Sequence, residues 1–114
     1  MPSPCIGDTA AALQWIAARY QLRNVTLTQA AEDLGVSRSR LGKLLIRETG
    51  FTFGEQLKKQ RIAKATELLL ADKNKGLKAL AWSVGYGHLG NFVRDFRRLH
   101  GLTPSVFRRR NTPG

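Results

Sequence analysis

The chain has 114 residues, about the size of one ordinary domain, and carries 19 Lys and Arg against 8 Asp and Glu, which gives a net charge of +11. This excess predicts attraction to a polyanion, while the single cysteine, Cys5, excludes an intrachain disulfide and favours a reducing compartment. The sequence contains no apolar run long enough for a transmembrane helix and no signal-peptide pattern at its start, so we expect a soluble cytoplasmic protein.

The chain begins with residues 1–7, whose two prolines and one glycine predict a flexible lead-in. Asp8 or Thr9 can cap a first helix that runs to about Tyr20. The expected buried stripe of this helix follows the i, i+3, i+4, i+7 spacing and consists of Leu13, Ile16, Ala17 and Tyr20.

Two shorter helices follow a predicted turn at residues 23–24. Thr26 and Ser37 are suited to cap them, because a side-chain oxygen at the N-cap accepts from a backbone N–H that has no partner in the helix. Gly35 supplies the sharp turn between them, since a positive φ costs glycine least. The predicted bounds of the two helices are 27–34 and 38–49.

The longest predicted helix covers residues 53–71 and opens with a capping box formed by Thr52 and Glu55. Its apolar side carries Leu57, Ala65, Leu68 and Leu69, with Ile62 nearby. A polar turn at 72–76 leads to three further helices, predicted over 77–84, over about 88–99, and from Pro104 onward.

The two halves of the chain share a repeated pattern. Residues 35–53 align with residues 85–104 when one extra residue is allowed in the second copy. Matched positions include Leu41 with Phe92, Lys43 with Arg94 and Gly50 with Gly101. Each copy reads as a short apolar helix, a tight glycine turn and a second helix with a basic outer face, which is the order of a helix-turn-helix.

We therefore predict an all-α protein of seven helices, in which two helix-turn-helix subdomains are joined by a long linker helix. No segment shows the alternation of apolar and polar residues that indicates a strand. The expected division is a flexible lead-in at 1–7, a first lobe at 8–52, the linker helix at 53–71, a second lobe at 72–110 and a disordered tail at 111–114.

In the first copy we place three leucines toward the core, Leu41, Leu44 and Leu45, which turns a polar and basic side outward. Arginine and lysine side chains can read guanine in the major groove, and short hydroxyl side chains can bond to several bases. We expect base contacts from Ser39, Arg40 and Lys43, and phosphate contacts from Arg38 and Arg47.

In the second copy the side chains placed toward the core are Phe92, Phe96 and Leu99. Asparagine reads adenine and arginine reads guanine, so we expect base contacts from Asn91 and Arg94. The phosphate contacts expected here come from Arg97 and Arg98.

Gly42 and Gly90 lie on the two outer faces, although each weakens a helix by about 1 kcal/mol relative to alanine. Either the backbone must come close to the duplex at these positions, or both glycines are neutral surface changes. His88 opens the second recognition helix, where it is either a DNA contact or a surface residue.

The sequence shows no metal-ligand spacing and no catalytic or nucleotide-binding motif, so we expect no metal, no cofactor and no enzyme activity.

Several segments together resemble the DNA-binding domain of the AraC/XylS family of bacterial transcription regulators. Residues 26–41, TLTQAAEDLGVSRSRL, are similar to the family's first helix-turn-helix, and residues 48–53, ETGFTF, lead into its linker helix. The signature of its second lobe is resembled by LA at 80–81, VGY at 84–86, NF at 91–92, RDFRR at 94–98 and GLTPSVFR at 101–108. The likeness extends from about Asp8 to Arg110.

This resemblance implies that the two recognition helices enter successive major-groove segments of double-stranded promoter DNA, at a site that is asymmetric because the two faces differ. It also implies a bacterial, nucleoid-associated transcription activator that contacts RNA polymerase. Family members often carry an N-terminal domain for sensing or dimerisation. The chain is therefore either a stand-alone regulator or the C-terminal piece of a longer protein, which its proline-rich start favours.

A few positions depart from the family pattern. Lys78 replaces a usual capping residue, so we expect Asn74 to cap the helix that follows. Gly42 and Gly90 stand where relatives place long polar side chains, which favours fewer base contacts and more dependence on phosphates and DNA shape. Trp82 is expected to pack in the core or at the edge of the lobe rather than to stack on a base.

Two other functions are kept as alternatives. A basic architectural protein would coat DNA without sequence preference, and a protein-interaction module would bind an acidic partner instead of DNA. The difference between the two outer faces argues for sequence-specific binding, because a protein that coats DNA needs only an even cationic surface.

Overall fold

A computed structural model describes residues 4–22, 25–72 and 74–111 of the chain. Over these residues the chain forms seven α-helices and no strand, which confirms the predicted class. The helices are α1 Pro4–Arg19, α2 Leu27–Leu34, α3 Arg38–Thr49, α4 Phe53–Ala71, α5 Leu77–Ser83, α6 Leu89–His100 and α7 Pro104–Arg110. The predicted turn at 23–24, the first three residues of the lead-in and residues 112–114 of the tail lie outside the described residues.

Helix α1 differs from its prediction at its start and in its buried side. It begins at Pro4 rather than at Asp8 or Thr9, since proline at the first helical position gives up only an N–H that has no partner within the helix. The hydroxyl of Thr9 instead donates to Glu48 Oε1 at 3.0 Å and so ties α1 to α3. Ala17 is exposed, and the buried stripe runs through Ala12, Trp15 and Ile16, one residue earlier than expected.

The chain divides into two compact units, and unit 1 comprises Met1–Tyr20 with Asn24–Lys58. Its core is formed by α1, α2, α3 and the first turns of α4, and its buried members are Ala12, Trp15, Ile16, Val25, Ala30, Ala31, Leu41, Leu45, Phe53 and Leu57. The predicted caps are confirmed. Thr26 accepts from the Gln29 N–H at 3.1 Å, and Ser37 accepts from the Arg40 N–H at 3.1 Å. Gly35 ends α2 with a φ of 70°, which glycine adopts at little cost.

Unit 2 comprises Gln21–Arg23 with Lys59–Gly114, and its core lies between the later turns of α4 and helices α5 to α7. Aromatic rings fill much of it. Phe96 contacts His100 and Phe107 with ring centroids 4.5 and 5.4 Å apart, and Phe92 contacts Phe96 at 5.9 Å. The other buried members are Ile62, Ala65, Leu69, Leu80, Ala81, Val84 and Tyr86.

Two predictions for unit 2 are wrong, the one for the cap of α5 and the one for Leu99. The N-cap of α5 is Gly76, without a side-chain cap; Asn74 lies in the preceding turn, where its N–H donates to the Asp72 carboxylate at 3.1 Å. Leu99 is 48% exposed, since it follows the last core turn of α6, where His100 covers Phe96 instead. Trp82 is 64% exposed, because α5 buries its opposite side; of the two positions expected for it, this excludes the core and leaves the edge of the lobe.

No helix in the described ranges combines the length and apolar character needed to cross a bilayer.

Candidate nucleic-acid interface

Helix α3 turns one side into unit 1 and the other to solvent. Leu41, Leu44 and Leu45 are 0%, 5% and 0% exposed, which confirms the predicted core side. At about 100° per residue, Ser39, Lys43 and Ile46 lie within about 35° of the opposite direction. All three side chains are exposed. The centre of the outer face therefore offers a hydroxyl, an ammonium and an aliphatic group.

A basic groove runs along one flank of this face. It has a volume of ≈ 450 Å³ and is lined by Ser37, Ser39, Arg40, Lys43, Leu44 and Arg47. Arg40 and Arg47 are exposed and lie about 70–90° from the centre of the face, both on the same flank. The groove is suited to a phosphate.

The structure explains why position 42 is a glycine, which the sequence alone did not. A Cβ at this position would lie 3.3 Å from Leu27 Cδ2, so a side chain here would press on the first residue of α2. At Gly90 on α6 nothing lies within 4 Å of a Cβ. The two glycines therefore differ, and only Gly90 retains the two explanations offered from the sequence. No sequence pattern links Leu27 to Gly42, because the contact is made between two helices.

Helix α6 repeats the arrangement with a stronger positive charge. Phe92, Asp95 and Phe96 are buried, and Gly90, Arg94 and Arg97 lie within about 35° of the opposite direction. Asn91 and Arg98 are exposed and lie about 70–90° from that centre. Arg97 is thus nearer to the centre of the face than Asn91, although the sequence assigned Arg97 to phosphate and Asn91 to a base.

Asp95 is a buried acid that the sequence analysis did not single out. It is 3% exposed and accepts a hydrogen bond from Tyr86 Oη at 2.9 Å, while Arg94 Nε lies 3.5 Å from its other oxygen. Two signals in the sequence could have identified Asp95. It follows Phe92 by three residues and so lies on the core side, and it is the one acidic residue of α6.

The surroundings of Asp95 suppress ionisation of the neighbouring tyrosine. Burial raises the pKa of Tyr86 above its ordinary value of 10.0, and the hydrogen bond to Asp95 raises it further. The Arg61 guanidinium lies 5.6 Å from the centre of the Tyr86 ring and donates to the Leu22 carbonyl at 2.9 Å. Burial lowers the pKa of Arg61, whereas the negative charge of Asp95 opposes that shift. The group links α4, the α5–α6 turn and α6 within unit 2.

Other polar side chains lie at helix starts. Thr52 and Glu55 form the expected capping box, with N···O distances of 3.0 and 3.2 Å. Thr103 accepts from the Val106 N–H at 3.4 Å and so caps α7. His88 is the exposed N-cap of α6 and makes no side-chain cap bond. Within the described part of the chain, no three His, Cys, Asp or Glu side chains are grouped as metal ligands would be.

The chain is similar to known helix-turn-helix proteins over most of its length. A family model described as a helix-turn-helix domain matches residues 30–110. The HTH-type transcriptional regulator RipA of Corynebacterium glutamicum is 35% identical over 82 residues, which is 72% of this chain and 24% of RipA. The chain thus spans about a quarter of the length of that relative.

Two solved structures share the fold along nearly the whole chain. The C-terminal domain of AraT, a response regulator from Geobacillus stearothermophilus, has a TM-score of 0.88 and 31% identity, and the match covers 98% of this chain and 89% of that one. A probable AraC family transcriptional regulator from Rhodopseudomonas palustris has a TM-score of 0.82 and 27% identity, with 94% of this chain and 99% of that one covered.

Proposed function

Because this chain belongs to the AraC/XylS family of helix-turn-helix DNA-binding domains, which is a non-enzymatic family, we propose that it recognises a specific sequence in double-stranded promoter DNA through α3 and α6. The observation that carries the proposal is the shared design of these helices. Each buries one side in its own unit and presents the opposite side with a cation at its centre, Lys43 in α3 and Arg94 in α6.

For α3 we propose base contacts from Ser39, Arg40 and Lys43. Their support is exposure on the outer face and, for Ser39 and Lys43, a position close to its centre. Arg38 and Arg47 are proposed to bind phosphates, since both are exposed and Arg47 lines the basic groove beside the helix.

For α6 we propose base contacts from Asn91 and Arg94, with Arg97 and Arg98 on phosphates. Arg94 Nε lies 3.5 Å from Asp95, and the guanidinium has two further nitrogens that can make a bidentate contact with guanine O6 and N7. The side chain of Arg94 is 66% exposed and therefore accessible to a duplex.

The proposed site contains two unlike blocks. The centre of the α3 face has one cation and one aliphatic side chain, while the centre of the α6 face has two arginines and a glycine. Two different faces read two different sequences, so an asymmetric site is expected rather than a palindrome. We propose that the blocks occupy successive major-groove segments, about 34 Å apart.

For the whole protein we propose a transcription activator that contacts RNA polymerase and acts at the nucleoid in the bacterial cytoplasm. The sign of regulation and the polymerase contact are supported by the family resemblance. A sensing or dimerisation domain is a further proposed partner, since RipA is about four times as long as the segment that it shares with this chain.

The experiment that tests the proposal is selection of bound duplexes from a random DNA pool at two salt concentrations. We expect an enriched asymmetric motif with two blocks about one helical turn apart, retained at the higher salt. The net charge of +11 favours one other candidate, a non-specific architectural protein. That candidate predicts no enriched motif and steeply salt-dependent binding to every duplex.

A further inference from the structure

Ile46 is an exposed aliphatic side chain at the centre of a face that is otherwise polar and cationic. It is 51% exposed and lies about 33° from the direction opposite to the buried leucines of α3. Ser39 and Lys43 are its neighbours on that face. An aliphatic group at this place would face the floor of the major groove if α3 enters it as proposed.

Beside Ile46 the surface forms a shallow apolar notch. The notch has a volume of ≈ 440 Å³ and is lined by Leu27, Arg38, Ser39, Gly42, Lys43, Ile46, Thr52 and Phe53. On the α3 side the notch is bounded by the bare backbone of Gly42. A side chain at this position would fill the space next to Leu27, because its Cβ would lie 3.3 Å from Leu27 Cδ2. Arg38 and Lys43 place positive charge at its rim, which suits a position on DNA, where Arg38 is proposed to bind a phosphate and Lys43 a base.

We propose that this notch, formed by Leu27, Gly42 and Ile46, receives the 5-methyl group of a thymine, so that Ile46 is a specificity-determining residue for one base pair in the α3 block. Thymine is the base that presents an apolar group in the major groove, and aliphatic side chains contact that methyl group. The inference rests on the proposed function, because it requires α3 to lie in the major groove of bound DNA.

Unit 2 provides an internal contrast. The repeat position that corresponds to Ile46 is occupied by Arg97 on α6. The repeat position that corresponds to Gly42 is occupied by Val93, so the glycine beside the notch of α3 has no counterpart in α6. A methyl contact that depends on Ile46 therefore belongs to one block of the site and not to both.

The experiment uses the duplex selected from the random pool, in which each thymine is replaced singly by deoxyuridine. This change removes one methyl group and leaves every Watson–Crick hydrogen bond in place. For the wild-type protein we expect one substitution to weaken binding about fourfold, which corresponds to about 0.8 kcal/mol for a methyl-sized group removed from water. Ile46→Ala should bind the thymine and deoxyuridine duplexes equally at that position.

The matched control is Leu99→Ala, which removes an aliphatic side chain of similar exposure, 48%, from the core side of α6. It should retain the wild-type preference for thymine. If wild type selects a motif but tolerates deoxyuridine at every position, or if Ile46→Ala keeps the preference, the methyl notch is wrong and the proposed function stands. If no motif is enriched at all, the proposed function itself fails, and the notch fails with it.

Discussion

Replacing Tyr86 with phenylalanine removes one hydroxyl group from the interior of unit 2 and leaves the ring in place. The ring packs against Phe92 with centroids 5.5 Å apart, so the apolar contacts of residue 86 should persist. The loss falls on Asp95, whose carboxylate is 3% exposed and accepts from the Tyr86 hydroxyl at 2.9 Å. A buried carboxylate cannot recover that bond from water, so the change leaves a charged acceptor short of a donor.

The magnitude follows from the charge on the acceptor. Hydrogen bonds to charged groups contribute about 1.5–3 kcal/mol, and we expect Tyr86→Phe to lower the free energy of unfolding by an amount in that range. For a domain of this size the loss should lower the Tm by roughly 6–15 °C. Urea denaturation followed by circular dichroism measures the free energy of unfolding, and a thermal scan measures the Tm.

A double-mutant cycle with Asp95→Ala separates this bond from other effects of the substitution. Without the carboxylate, the Tyr86 hydroxyl has lost its partner, so Tyr86→Phe should cost close to nothing in that background. A cost below about 0.5 kcal/mol in the wild-type background, or an equal cost in both, would refute the reasoning.

The same substitution should change how stability responds to alkaline pH. The pKa of Tyr86 is raised above 10.0 in the folded protein, so its contribution is fully present below pH 10 and is lost as the pH rises toward the raised value. The difference in free energy of unfolding between wild type and Tyr86→Phe should therefore shrink above pH 10. A difference that grows with pH would contradict the direction of the shift.

Three further predictions concern the glycines of the outer faces and a carboxyl group of unit 1. Gly90→Ala should stabilise the protein by about 0.5–1 kcal/mol in urea denaturation, because alanine is the better helix former and its Cβ meets open space. Gly42→Ala should gain less, since Leu27 must yield; equal gains would show that the Leu27 contact is soft. Hydrogen bonds from Trp15 and from the Gln29 side chain lower the pKa of Asp33 below 3.8, so its contribution to stability is present above that pH and is lost as the pH falls through the lowered value. NMR titration of the carboxyl carbon should show a higher Asp33 pKa in Gln29→Ala than in wild type, and an unchanged pKa would rule out the Gln29 contribution.

The helix bounds could be predicted closely where local chemistry sets them. The starts of α2, α3 and α4 lie where Thr26, Ser37 and Thr52 were expected to cap, and Gly35 and Gly50 end helices with φ of 70° and 81°. These features depend on a few consecutive residues, so they can be read without knowledge of the fold.

Burial was predicted less well at the ends of helices, because it depends on neighbours from other elements. Leu99 follows the apolar period of α6 and yet is exposed, since the core ends one turn earlier. Trp82 is large and apolar and yet lies on the outer side of α5. Hydrophobic periodicity gives the direction of a side chain, and only packing decides whether anything covers it.

The candidate site also has features that could be predicted from one helix alone and features that could not. The outward direction of Lys43 and Arg94 follows from the leucine and phenylalanine periods of their own helices. The closeness of Leu27 to the place where a Cβ of residue 42 would lie, and the hydrogen bond between Tyr86 and Asp95, arise between elements, and so they required the structure. Both lie at α3 and α6, the helices proposed to read DNA, where a small change in position would alter which base is reached.

The most direct test of two independent reading helices is to compare the DNA motifs selected by wild type, Lys43→Ala and Arg94→Ala. Each variant should lose about 1–3 kcal/mol of affinity for the wild-type site and lose base preference in a different block, with the other block unchanged. Loss of preference at the same positions in both variants, or full retention in both, would contradict the assignment of one recognition helix to each block.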